Sequence, residues 1–176
     1  MTPLCRLLAT LALGAAAGCN APGEGTPELG LAASLLPNLG LAGTLSVPVR
    51  APSAWQIEAR FTDQFVDDKS FADNDLPEAG NWTQLDLGLL HFSSWEDERA
   101  WSLRFGLTGF EARGEPNLAD EAGEYFGGYC GVGRFRRFGR NFAIGPELTL
   151  VVATGPDPRV VIPQLTWGVR WMPGAR

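Results

Sequence analysis

The chain has 176 residues, of which 45% are hydrophobic and only 19% charged, with a formal net charge of −6. That length suits one domain, and that apolar content excludes a disordered chain. The negative charge, with Lys69 the single lysine, gives no basis for a nucleic-acid partner, and with no phosphate loop or Cys/His ligand cluster neither cofactor nor metal is expected.

The first element is a leader. Residues 1–20, MTPLCRLLATLALGAAAGCN, set one early cation, Arg6, ahead of an apolar run and a patch of small residues. The stretch resembles a secretory signal peptide and is too short to span a bilayer as a helix. Ala16-Ala17-Gly18-Cys19 resembles a bacterial lipobox. That resemblance implies that residues 1–18 are removed and that Cys19 opens the mature chain and carries lipid. The alternative is ordinary cleavage at the Ala15-x-Ala17 pattern. Residues 19–27 are rich in Gly and Pro and form a flexible tether, which leaves 28–176 as the domain. Once the leader is gone, Cys19 and Cys130 remain, and no disulfide framework can be built from them.

After the tether, apolar and polar residues alternate with period two. Leu41, Leu45, Val47 and Val49 share one face, and Trp55, Ile57, Ala59 and Phe61 share another, opposite Gln56, Glu58 and Arg60. Period two is the signature of strand, and no stretch beyond the leader has a helical period. Eight strands are predicted, over 28–35, 39–49, 54–66, 82–95, 100–112, 126–138, 141–153 and 160–172.

The connections alternate as well. Those at 67–81 and 113–125 are long and acidic and 154–159 is moderate, while 50–53, 96–99 and 139–140 are short; only 36–38 is short where a long loop is expected. In an up-and-down barrel successive turns lie at opposite ends, so the long loops share one end and the termini the other. The predicted fold is all-β: an eight-stranded antiparallel up-and-down β-barrel. Its interior has room for side chains but not for a pore.

Either face of such a barrel can be the wet one. The polar face carries Gly88, Gly106, Gly128, Gly145 and Gly168 beside Glu58, Arg60, Asp86, Arg104, Arg134, Arg136, Glu147 and Arg170. Small residues with opposite charges suit a narrow filled interior, which leaves the apolar face to lipid. Within it, Glu58, Arg60, Asp86, Arg104, Arg134 and Glu147 are expected to form a charge network, with Arg134 paired to Glu147 across the 139–140 turn. Trp55, Trp95, Trp101, Phe142 and Trp171 all fall at strand ends on the short-turn side, as an interfacial aromatic girdle would.

Over 28–172 this pattern resembles the small eight-stranded outer-membrane barrels of the OmpA-like and OmpX-like group, and TWGVRWM (166–172) resembles their terminal assembly signal. The resemblance implies a monomer in the bacterial outer membrane, with membrane lipid as its partner, periplasmic termini, and a non-catalytic structural or surface-interaction role. Two further readings stand beside it. One is a soluble periplasmic lipoprotein whose lipocalin-like barrel binds an apolar ligand. The other is a lipid hydrolase, because His91-Phe92-Ser93 resembles the His-x-Ser pair of outer-membrane lipid A deacylases, although Ser94-Trp95 stand where that family has Asn-Gly. It implies His91 as base for Ser93, with Glu111 or Glu96 as orienting acid. DDKSFADND (67–75) offers four aspartates but lacks the Gly and terminal Glu of a calcium loop, so it reads as a solvated acidic loop.

Overall fold

The computed structural model describes residues 27–36, 39–49, 55–64, 81–93, 99–113, 123–139, 141–156 and 159–171. The leader, Cys19, the tether up to residue 26, Trp95, Glu96 and the acidic 67–75 loop lie outside them. Eight strands follow in chain order: β1 (Glu28–Leu36), β2 (Gly40–Pro48), β3 (Trp55–Gln64), β4 (Asn81–Phe92), β5 (Arg99–Arg113), β6 (Gly123–Phe138), β7 (Phe142–Thr154) and β8 (Val160–Trp171). Each pairs antiparallel with the next, and β1 pairs with β8 to close the barrel. Closure removes the unpaired edges that an open sheet would expose.

Alternation decides which side chains enter. From β3, Gln56, Glu58, Arg60, Thr62 and Gln64 are buried inside; from β7, Ala143, Gly145, Glu147, Thr149, Val151 and Ala153. The apolar partners of these residues face outward. Leu31 is 76% exposed and Leu41 62%, with Trp101, Leu107, Leu148 and Trp167 also on the outside. A lipocalin-like barrel would carry its apolar face inside; here charges fill the interior and the hydrocarbon surface is outside.

β6 corrects the sequence reading. Phe138 pairs with Phe142 rather than Asn141, so the turn holds three residues and begins at Gly139. Gly139 has a φ of 67°, a left-handed conformation that glycine adopts without steric penalty. One extra turn residue reverses the faces of a strand relative to its partner. Tyr125, Tyr129, Gly131, Gly133 and Phe135 therefore point inward, whereas Cys130, Arg134 and Arg136 are exposed and Gly128 faces out.

The interior is layered. Toward the long loops, Trp82, Phe110, Tyr125, Tyr129, Val151, Val160 and Ile162 form an apolar plug, with Phe110 and Tyr125 stacked 4.8 Å apart. Toward the short turns, Leu90, Phe92, Ala100, Phe135 and Ala143 form a second. The charged residues lie between. Tyr129 fits because it lies in register with two glycines, Gly106 and Gly88. A Cβ at Gly106 would stand 2.2 Å from the Leu87 carbonyl oxygen, and one at Gly88 2.5 Å from the Tyr129 hydroxyl.

Candidate functional site

The middle layer is a closed ion-pair network centred on Arg104, which is fully buried. One of its terminal nitrogens lies 2.9 Å from Glu58 and 3.4 Å from Asp86, and the other donates to Glu147 at 2.8 Å. Arg170 donates to Glu58 at 2.7 Å and lies 3.6 Å from Glu147, which also accepts from Arg60. Three guanidinium groups thus meet three carboxylates, and the layer is neutral. Asp86 also accepts from Thr108 and Gln84 at 2.7 Å each, and Gln164 donates to Gln84 across the lumen. Aromatic rings lid the charges: Arg104 lies 4.7 Å from the Tyr129 ring centre, and Arg170 lies over Phe92 and Phe135. Buried ions need this many partners, because removing charge from water is expensive unless each group is paired and hydrogen-bonded.

The structure brings together Glu58, Arg60, Asp86, Arg104 and Glu147, but not Arg134. Arg134 pairs in register with Trp101 and lies outside the barrel, 5.3 Å above that indole ring. Its partnership with Glu147 is overturned by the three-residue turn. Arg170 takes the vacated role. It alternates with Gly168 on the inward face of β8, a signal present in the sequence, but its partner Glu58 sits five strands away in chain order. Beside the network, a void of about 20 Å³ lies among Gly30, Thr44, Arg60, Glu147, Thr166 and Arg170. That is space for one water and not a conduit.

Among the described residues, the catalytic candidates do not assemble with Glu111. His91 and Ser93 both face outward at the short-turn end. Ser93 exchanges backbone contact with Trp101, donating its N–H to the Trp101 carbonyl at 2.9 Å, while its hydroxyl oxygen accepts the Trp101 N–H at 3.0 Å. His91 packs on Trp55, with ring centres 4.7 Å apart. Glu111 faces Thr83 and Glu124 at the other end of β5. It is eight residues beyond the Leu103 that faces His91, about 27 Å at the usual strand rise. Glu111 is therefore too far along the wall to orient His91, and Glu96, the other acid candidate, lies outside the described residues.

The outer surface has its own order. Trp55, Trp101, Phe142 and Trp171 all point outward at the short-turn end, with Phe142 opposite both Phe138 and Trp171. At the long-loop end, Asp63, Thr83, Glu111 and Glu124 lie side by side across four strands, all outward. Between the two levels on β5, the outward residues are Leu103, Phe105, Leu107 and Gly109. The stretch from Trp101 to Glu111 is about 33 Å of strand, or about 25 Å of height at the roughly 40° tilt usual in such barrels.

No known protein-family profile matches the chain, and no curated protein matches it. Solved structures do. The N-terminal β-barrel domain of Pseudomonas aeruginosa OprF is similar with a TM-score of 0.57 at 10% identity, over 84% of this chain and 100% of that one. Ail, the attachment invasion locus protein of Yersinia pestis, is similar with a TM-score of 0.50 at 13% identity, over 86% of this chain and 99% of that one. With its closed eight-stranded wall, charge-filled interior and apolar exterior, the chain shares the fold of the small eight-stranded outer-membrane β-barrels.

Proposed function

We propose that the protein is an outer-membrane β-barrel with a structural or surface-interaction role, that it does no chemistry of its own, and that it sits as a monomer with its short turns and termini toward the periplasm. The observation that carries this reading is the outward apolar band, about 25 Å tall, bounded by aromatics at one level and carboxylates at the other. A soluble protein has no use for such a band, because exposed apolar patches of this extent drive association. The salt-bridged interior argues for a rigid wall rather than a channel, so function falls to the loops and the lipid-facing surface. The separation of His91 from Glu111 supports a non-catalytic role. In the same reading, Cys19 is lipidated and anchors the tether to the periplasmic leaflet.

Fractionation with gel migration tests the span. The protein is expected to stay in the membrane after carbonate washing and to migrate differently before and after boiling. Release into the soluble fraction, with no shift on boiling, overturns it. Mass spectrometry of the mature N-terminus tests the anchor: it is expected to begin at a lipid-modified Cys19.

A further inference from the structure

β5 and β6 place four outward side chains in a two-by-two block near the short turns. Arg99 is directly opposite Arg136, and one step up the wall Trp101 is directly opposite Arg134. Arg99, Arg134 and Arg136 are all exposed. Like charges directly opposite on a sheet repel, so the Arg99–Arg136 pair is unfavourable unless an anion lies between them. Among the described residues no carboxylate pairs with any of the three; the carboxylates of the interior network belong to Arg60, Arg104 and Arg170. The neighbours flanking the block on the outer face of β7 are apolar, Ile144 opposite Arg136 and Pro146 beside Arg134.

The height of the block tells what the anion is. An indole at the bilayer boundary sits at headgroup level. Arg134 shares the level of Trp101, and Arg99 and Arg136 lie two residues nearer the end of the barrel, about 5 Å further along the bilayer normal. That is the depth of the lipid phosphates. Guanidinium groups are suited to a phosphate because their paired N–H donors match its oxygens. The opposite end of the same wall carries Asp63, Glu111 and Glu124 outward, so attraction for an anionic headgroup is confined to one leaflet.

We propose that Arg99, Arg134 and Arg136, with Trp101 as the platform beneath the headgroup, form a binding site for an anionic glycerophospholipid in the leaflet at the short-turn end. The proposal rests on the membrane reading above but needs no particular orientation.

The test uses the full chain in vesicles of zwitterionic phosphatidylcholine and in vesicles with a fraction of phosphatidylglycerol, followed by native mass spectrometry of the lipids kept on mild detergent release. Phosphatidylglycerol is expected to be retained about ten-fold over phosphatidylcholine, since each interfacial arginine contributes several-fold to anionic-lipid association. The triple variant R99Q/R134Q/R136Q is expected to bring retention to parity while still shifting on boiling. Equal retention of the two lipids by the native chain overturns the proposal, as does a preference that survives in the folded triple variant. Equal retention is also the outcome if the Glu96-Asp97-Glu98 turn neutralises the arginines. Loss of the preference in excess inorganic phosphate identifies the ligand as free phosphate and overturns the lipid assignment. A chain that does not insert even into zwitterionic vesicles fails the membrane reading, and this site with it.

Discussion

β3 turns Gln56, Glu58, Arg60, Thr62 and Gln64 into the barrel and leaves Trp55 and Phe61 outside. β6 sorts its residues the other way: Tyr125, Tyr129 and Phe135 go in, and Arg134 and Arg136 stay out. Both strands alternate, and both are correct for a filled barrel. The difference lies in what the inward side chains of each meet inside the barrel. β3 faces Arg104, Arg170 and Glu147, so its charges find partners. β6 lies beside Gly106 and Gly88, whose missing side chains leave the space that the Tyr129 ring occupies. Arg134 and Arg136, near the turn, are exposed on the outer wall. Volume and depth, more than hydropathy, orient a strand in so narrow a wall.

The comparison can be broken most severely at the glycine floor. Gly106→Leu places a Cβ against the Leu87 carbonyl and the Gly88 Cα, 2.5 Å away, where backbone cannot yield. The expected outcome is loss of the heat-modifiable folded species. Gly43→Leu, on the outer face with nothing within 4 Å of the new Cβ, is expected to fold normally, as a gel of both variants would show.

Next in size is the network on which β3 depends. Glu58→Ala strands Arg104 and Arg170, and breaking a buried pair from one side is expected to destabilise the barrel by about 3–5 kcal/mol in urea titration from vesicles. Tyr129→Ala removes the ring over the glycines and is expected to lose about 3 kcal/mol, mostly as a cavity.

The smallest effect sharpens the contrast most. Arg134→Ala is expected to lose only about 0.5–1 kcal/mol, the value of an exposed cation over an indole, with a shift in Trp101 emission. A loss as large as that of Glu58→Ala would return Arg134 to the interior and undo the β6 assignment.

These contrasts also measure what the sequence could say. The strands, their alternation and the grouping of long loops at one end were legible, because period two and polar loops are local signals. Glu58, Arg60, Asp86, Arg104 and Glu147 were legible as inward residues for the same reason. Their pairings were not: Glu58 and Arg170 meet only through the closed wall. Arg134 was misassigned because YFGGYCGVGRFRRF is amphipathic on neither face, so its orientation hung on the length of one turn. Trp82 was another silent case. It sits at a strand end like the girdle residues yet is 2% exposed, in the plug with Phe110.

The seam between β1 and β8 has a consequence for biogenesis. Leu29 pairs with Trp171 and Ala33 with Trp167, so the first strand finds its second neighbour only when the last has been made. Until then the chain is a ribbon with two raw borders and an oily side, the state most prone to clumping. Contacts so distant in the chain are also slow to form. In the membrane reading proposed above, such a polypeptide would be kept from closing until it reached the bilayer, with its final strand as the latch.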